Sequence, residues 1–217
     1  MIEKRKYVLK QRAERRDETR RRILEATVEL HRTLGPAATQ ISEIARRAGV
    51  QRVTVYDHFP DEGTLLAACS AHWRALHPAP DPAPWRAIES PGPRLRLALN
   101  DLYAWYRETE SMTGNVLRDA ETVPVLGAIV EGGLGRYLAG VRTVLAAPFR
   151  ARGKRGERID AAVRAAVDFH FWQALAPLGD SEAAELAAGL VELAATRPRT
   201  GRRRARCVIT DNITLNG

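Results

Sequence analysis

The segment from Thr39 to Phe59 constrains this chain more than any other, because one glycine, Gly49, separates two short apolar-patterned stretches in it. Two short helices that cross steeply need a residue tolerant of positive φ between them, and glycine supplies it. The first helix also needs a small residue where the second one crosses, and Ala45 lies four residues before Gly49. The segment therefore predicts two short helices joined by a tight turn, with Thr39 as the N-cap of the first.

A helix that precedes this pair can hold it in place. Apolar residues at helical spacing, among them Ile23 and Leu30, predict a helix from Asp17 to Leu34 that ends at Gly35-Pro36. Five apolar residues of the pair are predicted to pack against it: Ile41, Ile44, Val50, Val53 and Phe59. The outer face of the second helix keeps four polar residues: Gln51, Arg52, Thr54 and Asp57. Such a face can enter the major groove of duplex DNA, so we predict a helix-turn-helix. The simpler alternative is an ordinary helical hairpin.

Positive charge is concentrated at the two ends of the chain. Residues 1–22 carry ten Lys/Arg against four Asp/Glu, and residues 197–206 carry six Arg and no acid, while the whole chain has a net charge of +8. Because each end alone carries +6, the body between them is mildly acidic. Two basic ends predict contact with a polyanion. For residues 197–217 the alternative is a solvated, disordered tail.

Composition and patterning favour an all-α protein with two domains. Aromatic residues make up 6% of the chain, and no long run of alternating β-branched residues occurs. Long amphipathic helices are predicted at Arg94–Met112, Pro124–Ala147, Glu157–Leu175 and Asp180–Ala195, with a short piece at Asn115–Glu121 and a loop at Arg150–Gly156. The predicted order is a basic N-terminal arm at 1–16, a three-helix head with a connecting helix at 17–76, a Pro-rich linker at 77–93, a helical regulatory domain at 94–196 and a basic tail at 197–217.

The residues of the predicted helix-turn-helix resemble a known family. The motif consists of Thr39-Gln40-Ile41-Ser42-Glu43-Ile44-Ala45-Arg46-Arg47-Ala48-Gly49-Val50 and Thr54-Val55-Tyr56-Asp57-His58-Phe59. It is similar to the N-terminal domain of the tetracycline-repressor (TetR) family. Three flanking segments also match: Ile23-Leu24-Glu25-Ala26, Leu34-Gly35 and Leu65-Leu66. Phe171–Leu175 and Ser181–Leu186 show a weaker similarity to the C-terminal helices through which many members dimerise. The resemblance implies a homodimeric transcriptional regulator, more often a repressor, that binds duplex DNA at a near-palindromic operator.

The resemblance also implies a role for individual residues. Thr39 and Gln40 would meet phosphate. Gln51, Arg52 and Thr54 would reach base edges, with phosphate as the alternative for Arg52 and the thymine methyl for the other two. Tyr56 and His58 would donate to phosphates. The sequence departs from the family at two positions: Val53 stands where Gly is common, and Glu62 stands where Lys is usual. The basic segment before Asp17 is predicted to compensate by lying along or in the minor groove.

In this family the C-terminal helices enclose a variable small-molecule pocket, and large side chains cluster in the corresponding part of this chain. The predicted ligand-binding residues are Tyr103, Trp105, Tyr106, Met112, Asp168, Phe169, His170, Trp172 and Gln173. The alternative for each aromatic is core packing, and for His170 a buried hydrogen-bonded position. The predicted dimerisation residues are Phe171, Leu175, Leu186, Leu190 and Leu193. Together they predict a homodimer that releases its operator when an effector of unknown identity binds.

Other classes of protein fit the sequence less well. An all-α enzyme is the first alternative, but no catalytic motif is found, and Gly133-Leu134-Gly135 lacks the third glycine of a dinucleotide-binding loop. His72 and His77 form a poor metal pair, so neither metal nor cofactor is predicted. The second alternative is an architectural protein that binds DNA with little sequence preference. No signal peptide or membrane span is predicted. Cys69 and Cys207 are far apart, so we predict a cytoplasmic protein that binds no membrane.

Overall fold

A computed structural model of the chain describes residues 2–196, and every regular element in that range is helical. The predicted all-α class is therefore confirmed for this part of the chain. The predicted basic tail at 197–217 lies outside the described residues. Within the described residues, no helix combines the length and the apolar character that crossing a membrane requires.

The N-terminal domain consists of four helices. Their bounds are α1 Ile2–Thr33, α2 Ile41–Ala48, α3 Arg52–His58 and α4 Glu62–Leu76. Its core holds the predicted Ile23, Leu30, Ile44 and Phe59, each at most 1% exposed. The first helices pack as the apolar spacing predicted, because residues three and four apart share one face of a helix.

Helix α1 begins 15 residues earlier than the predicted Asp17, at Ile2. The predicted arm is therefore, from Ile2 onward, the first half of one helix of 32 residues. Lys, Arg, Glu, Gln, Leu and Ala dominate this segment, and no Gly or Pro interrupts it before Gly35. These residue types have high helix propensity, which favours a helix throughout this segment.

The predicted Pro-rich linker is shorter than 77–93. It contains one helical turn, α5 Ala83–Arg86, whose Trp85 is fully buried and donates from Nε1 to Asp101 Oδ2 at 2.8 Å. Helix α6 then runs from Pro91 to Ala120. Pro91 and Pro93 lie in its first turn, where a missing N–H costs nothing. The separate piece predicted at Asn115–Glu121 is instead the end of α6.

The remaining helices complete the C-terminal domain. Their bounds are α7 Pro124–Val130, α8 Arg136–Ala146, α9 Gly153–Ala166, α10 Phe169–Leu175 and α11 Asp180–Ala195. A π-helical turn, Glu131–Gly135, joins α7 to α8. The helix predicted at Glu157–Leu175 begins earlier, at Gly153, and is broken between α9 and α10. Asp168 causes this break, because its carboxylate accepts the N–H groups of His170 and Phe171 and so begins a new helix.

Candidate functional site

The turn between α2 and α3 has the geometry that the sequence predicted. Gly49 has φ 65° and ψ 39°, which is left-handed backbone. The Val50 N–H closes the turn by donating to the carbonyl of Ala45 at 3.0 Å. Ala45 is 4% exposed, so a small side chain indeed lies where the two helices meet.

Helix α3 presents most of its predicted polar residues to solvent. Gln51, Arg52, Tyr56 and Asp57 are exposed, and Thr54 is half-buried. The inward assignment of Val53 was wrong, because this side chain is 58% exposed. A helix of seven residues has room for one inward row, and Val55 and Phe59, four apart and both buried, occupy it.

Arg52 is the cation that α3 offers to a partner. Its Nη2 donates to the hydroxyl of Tyr56 at 3.2 Å, and its guanidinium lies 5.7 Å from the centre of that ring. Within the described residues it forms no ion pair. Arg46 and Arg47 of α2, by contrast, both pair with Glu43, and the hydrogen bond from Arg46 is the main cause that lowers the pKa of Glu43 to about 2. Glu43 thus offsets one of the two positive charges of α2, whereas Arg52 has no acidic partner within the described residues and is available to a polyanion.

The N-terminus of α2 is uncapped. Gln40, not the predicted Thr39, is the N-cap residue, and no side chain accepts a hydrogen bond from the first turn. Thr39 instead donates its hydroxyl to the carbonyl of Gly35 at 2.7 Å and is half-buried. The free N–H groups at the start of a helix attract anions. Gln40 is exposed beside them.

Helix α1 adds basic side chains next to the end of α3. The guanidinium of Arg20 lies 4.8 Å from the ring centre of Phe59. Burial lowers the pKa of His58, and the nearby charges of Arg16 and Arg20 lower it further. A neutral His58 at pH 7 can still donate one hydrogen bond. The exposed side of α3 and the part of α1 around Arg16 and Arg20 therefore form one polar, cationic surface.

A comparison with protein families identifies this domain. Residues 23–69 match the model of the tetR family of bacterial regulatory proteins. The N-terminal domain is therefore similar to that of the tetR family. This similarity supports a role in DNA-binding transcription regulation.

Solved structures share this fold over most of their length. A transcriptional regulator from Rhodococcus sp. RHA1 has a TM-score of 0.51 and 22% identity, with 82% of this chain and 99% of that one covered. A TetR transcription regulator from Haloarcula marismortui has a TM-score of 0.54 and 20% identity, with 82% and 96% covered. A proposed fatty acid metabolism regulator from Clostridium perfringens has a TM-score of 0.58 and 13% identity, with 81% and 98% covered. No curated protein matches the sequence. At these identities the structures establish the fold alone.

A cavity of about 280 Å³ lies between the N-terminal and C-terminal domains. Two of the predicted ligand-binding residues, Trp105 and Met112, line it. Most of its wall comes from residues that sequence reasoning missed, chiefly on α1, α4, α6, α7 and the π-helical turn: His31, Leu66, Cys69, Trp73, Arg74, His77, Val116, Leu117, Leu126, Ile129, Leu134 and Tyr137. No local sequence signal joins these segments, because the fold alone brings them together.

Four of the predicted ligand-binding aromatics lie in the core of the regulatory domain instead. Tyr103 and Tyr106 are fully buried and donate their hydroxyls to the carbonyls of Ala166 and Val167, both at 2.7 Å. The buried Phe169 and Trp172 rings pack against Tyr106, with ring centres 5.3 Å and 5.6 Å away. The two tyrosine hydroxyls thus satisfy backbone carbonyls at the break between α9 and α10. All four aromatic residues therefore pack in the core, which is the alternative that the sequence analysis gave for them.

The three predicted polar ligand groups lie away from the cavity. Asp168 is the N-cap of α10. His170 and Gln173 are exposed, so the buried position considered for His170 was wrong. Both line a shallow polar groove on the surface with Glu110 and Arg118.

Two titratable groups inside the cavity wall are uncharged at neutral pH. Burial lowers the pKa of His31 to about 4, against a smaller opposing effect of Asp119. Burial also raises the pKa of the Cys69 thiol to about 12. The thiol sulphur lies 3.5 Å from His31 Nδ1. The deep part of the cavity is therefore electrically neutral.

Hydrogen bonds join the cavity wall to the DNA-binding domain at the end of α1. We call Asn115, Arg118 and Asp119 of α6 the junction. Asn115 Nδ2 donates to the carbonyls of His31 and Arg32 at 3.1 and 2.9 Å, and Arg118 donates to the carbonyl of Leu34 at 3.3 Å. Asp119 is 5% exposed and accepts the Ala37 N–H at 2.9 Å and Arg118 Nε at 2.7 Å. The junction fixes the end of α1 against α6.

Gly35 lets the junction approach the backbone closely. Its φ is 95°, and a Cβ at this position would overlap the side chains of Arg118 and Asp119. A larger residue would therefore displace these two side chains and be strained at this positive φ.

Within residues 2–196, the outer side of the last two helices carries exposed and half-buried apolar side chains. The predicted Leu186, Leu190 and Leu193 of α11 are 51%, 39% and 69% exposed. Phe171 and Leu175 of α10 are half-buried. The inner side of α11 packs through alanines and Val191, so its leucines are left for another surface.

Proposed function

We propose that this regulator is a homodimeric repressor of the cytoplasm that occludes a promoter and releases its operator when a small molecule enters the cavity. The observation that carries the proposal is the junction between α6 and the end of α1. The same segment of α6 lines the cavity with Val116 and Leu117 and holds the DNA-binding domain with Asn115. A ligand that changes the position of α6 would therefore change the position of the DNA-binding domain.

We propose DNA contacts for residues of both α2 and α3 and at their ends. Gln51, Arg52 and Thr54 would contact base edges, because they lie at the start of α3 on its open side. Thr39, Gln40, Tyr56 and His58 would contact phosphates around them. Asp57 and Glu62 are exposed acids near this surface, and Arg16 and Arg20 offset their charge.

The apolar face of α10 and α11 supports the proposed homodimer. Its outward leucines are spaced as one stripe on α11, and a two-fold copy offers the matching stripe. Two such helix pairs would form a four-helix interface. The two α3 helices would then meet successive major grooves on a near-palindrome about 34–36 Å apart, as two-fold helix-turn-helix dimers do.

The proposed repressor needs only a small coupling free energy between effector binding and operator binding. A ligand shifts an equilibrium only by its difference in affinity for the two states. A hundredfold loss of operator affinity requires about 2.7 kcal/mol, and operator DNA must weaken ligand binding by the same factor. Breaking two or three of the junction hydrogen bonds would cost a similar free energy, because each contributes about 1 kcal/mol.

Binding-site selection from random duplex DNA tests the DNA-binding part of the proposal. We expect one near-palindrome to be enriched, with half-sites one helical turn apart. The double variant Thr54→Ala, Tyr56→Ala should bind it more weakly by about 1–3 kcal/mol for each side chain that touches DNA, while circular dichroism shows an intact fold. Enrichment of no sequence would favour the architectural alternative instead.

A further inference from the structure

The charges around the cavity indicate what kind of molecule it accepts. Its described lining includes one guanidinium, that of Arg74, and neither Asp nor Glu. Glu108 pairs with His77 Nδ1 at 2.7 Å but is itself outside the lining. His31 and Cys69 are uncharged at neutral pH, because burial shifts the pKa of each away from the charged form. Apart from His77, which is paired with Glu108, the cavity lining thus presents one positive charge and no negative charge.

Arg74 lies where it can meet a ligand at the mouth of the cavity. It is exposed on α4 and reaches the π-helical turn opposite, since a Cβ at Gly133 would overlap its guanidinium. Within the described residues it forms no ion pair. An arginine with free donors beside an apolar cavity is suited to a planar anionic group such as a carboxylate.

The walls indicate the shape of the molecule. The Trp73 and His77 rings stack with centres 3.8 Å apart, and Trp105 meets Tyr137 edge to face at 6.1 Å. Trp105 Nε1 and Tyr137 Oη already donate to the carbonyls of His77 and Pro80. These aromatics therefore offer a ligand their apolar surfaces rather than hydrogen bonds.

The volume of the cavity limits the size of the ligand that it can hold. Its volume of about 280 Å³ lies just below the roughly 300–1,000 Å³ usual for small-molecule sites. One or two fused rings fit within this volume.

We propose that the effector of this regulator is a small, flat, mostly apolar acid whose anionic group pairs with Arg74. The inference rests on the proposed function, because it assigns the ligand class of the same cavity. Its ring system lies among Trp73, Trp105 and Leu134, and its acid group lies at the mouth. The acid group binds in its anionic form, because the lining contains no carboxylate that would repel it.

Paired probes of equal shape test this proposal. The probes are 2-naphthoate and its neutral analogue 2-naphthamide, titrated against the whole protein with tryptophan fluorescence as readout. We expect the acid to bind about tenfold more tightly than the amide, which corresponds to about 1.4 kcal/mol. Arg74→Gln should reduce this ratio to about twofold or less, and the matched control Arg136→Gln, an arginine outside the lining, should leave it unchanged.

The outcomes separate the ligand class from the proposed function. Equal binding of acid and amide, a ratio unchanged by Arg74→Gln, or binding of neither probe would each overturn the assignment. Operator affinity is measured in parallel with the selected duplex. Tight, Arg74-dependent binding of 2-naphthoate that leaves operator affinity untouched would support the ligand class and contradict the ligand-responsive repressor.

Discussion

At the scale of single residues, Val53 is an apolar side chain on a surface that is otherwise polar. It is 58% exposed and follows Arg52 at the start of α3. An apolar group in the major groove finds the C5 methyl group of thymine. Val53 therefore belongs to the proposed DNA surface and not to the core to which the sequence pattern assigned it.

This position leads to a prediction about base preference. Val53→Ala should reduce the preference for thymine over uracil at one operator position by about 1 kcal/mol. The measurement titrates both proteins against operators in which each thymine is replaced in turn by deoxyuridine. If every replacement affects both proteins equally, Val53 makes no methyl contact.

His31 leads to a prediction about pH. Its pKa is about 4 in the folded chain, against about 6.5 in the unfolded chain. A depressed folded pKa contributes stability that is present above pH 6.5 and is lost as the pH falls toward 4. Between pH 7 and pH 5 we expect the free energy of unfolding to fall by about 2 kcal/mol through this residue.

Urea unfolding at the two pH values measures this effect. His31→Gln cannot titrate, so its free energy of unfolding should fall by about 2 kcal/mol less than that of the wild type. His170→Gln changes an exposed histidine and serves as the control. Equal decreases in the wild type and in His31→Gln would show that this histidine does not govern acid stability.

At the scale of elements, the first half of α1 is a basic helix rather than an irregular arm. Residues 1–16 hold seven Lys/Arg and two Asp/Glu. A helix fixes the spacing of these charges, and Arg16 and Arg20 bring it to the end of α3. We expect such a segment to contribute to DNA affinity through phosphate neutralisation, which does not depend on base sequence.

Deleting residues 1–16 should weaken binding to operator and to unrelated DNA alike. The slope of log affinity against log salt should decrease by about 0.9 for each phosphate that is no longer neutralised. Lys10→Gln, Arg12→Gln and Arg15→Gln in one variant should give a smaller change in the same direction, because these substitutions remove charge and keep helix-forming residues. An unchanged slope in the deletion variant would mean that this half of α1 does not contact DNA.

The junction is the second element with a measurable consequence. Burial opposes ionisation of Asp119, but hydrogen bonds from Arg118 and the Ala37 N–H outweigh it and keep the pKa of this carboxyl below its usual value. Asp119→Asn should lower the free energy of unfolding by about 1–3 kcal/mol, because it leaves a buried hydrogen-bonding group poorly matched. Glu121→Gln, at the exposed position just after the end of α6, is the control. Equal stability of both variants would show that the junction is energetically minor.

The elements also show what the sequence could and could not predict. The turn at Gly49 and the cores of α1 and α2 were predictable, because a local helical period and one glycine specify them. Helix α11 was predicted with its observed bounds, Asp180–Ala195. The break at Asp168 was missed, because an apolar run on both sides concealed a helix N-cap in the middle of one predicted helix.

The cavity could not be predicted for a different reason. Its walls come from the DNA-binding and regulatory domains together, and from positions as far apart as His31 and Tyr137. Aromatic density pointed instead to Tyr103 and Tyr106, whose hydroxyls serve the core. Clustering along the sequence indicates large side chains, but only tertiary packing decides whether they enclose a space.

At the scale of the whole molecule, the leucine stripe of α11 predicts the assembly. Leu190→Arg should convert the proposed homodimer into a folded monomer at micromolar concentration, because it places a charge in an apolar two-fold interface. Leu76→Arg changes another exposed leucine, on α4 outside this face, and should leave the dimer intact. Static light scattering measures both. A monomeric wild type, or a dimeric Leu190→Arg, would contradict the assignment of the interface.

The length of α1 makes it a lever. Asn115 holds the C-terminal end of α1 by donating to the carbonyl of His31. Arg16 lies 15 residues earlier in the same helix, beside α3. At 1.5 Å per residue that distance is about 22 Å, so a tilt of about 5° at the cavity end displaces Arg16 by about 2 Å. A displacement of this size breaks hydrogen bonds, which tolerate only a few tenths of an ångström. If the proposed function holds, a rearrangement too small to change the fold would thereby become a displacement large enough to alter contacts with a DNA duplex.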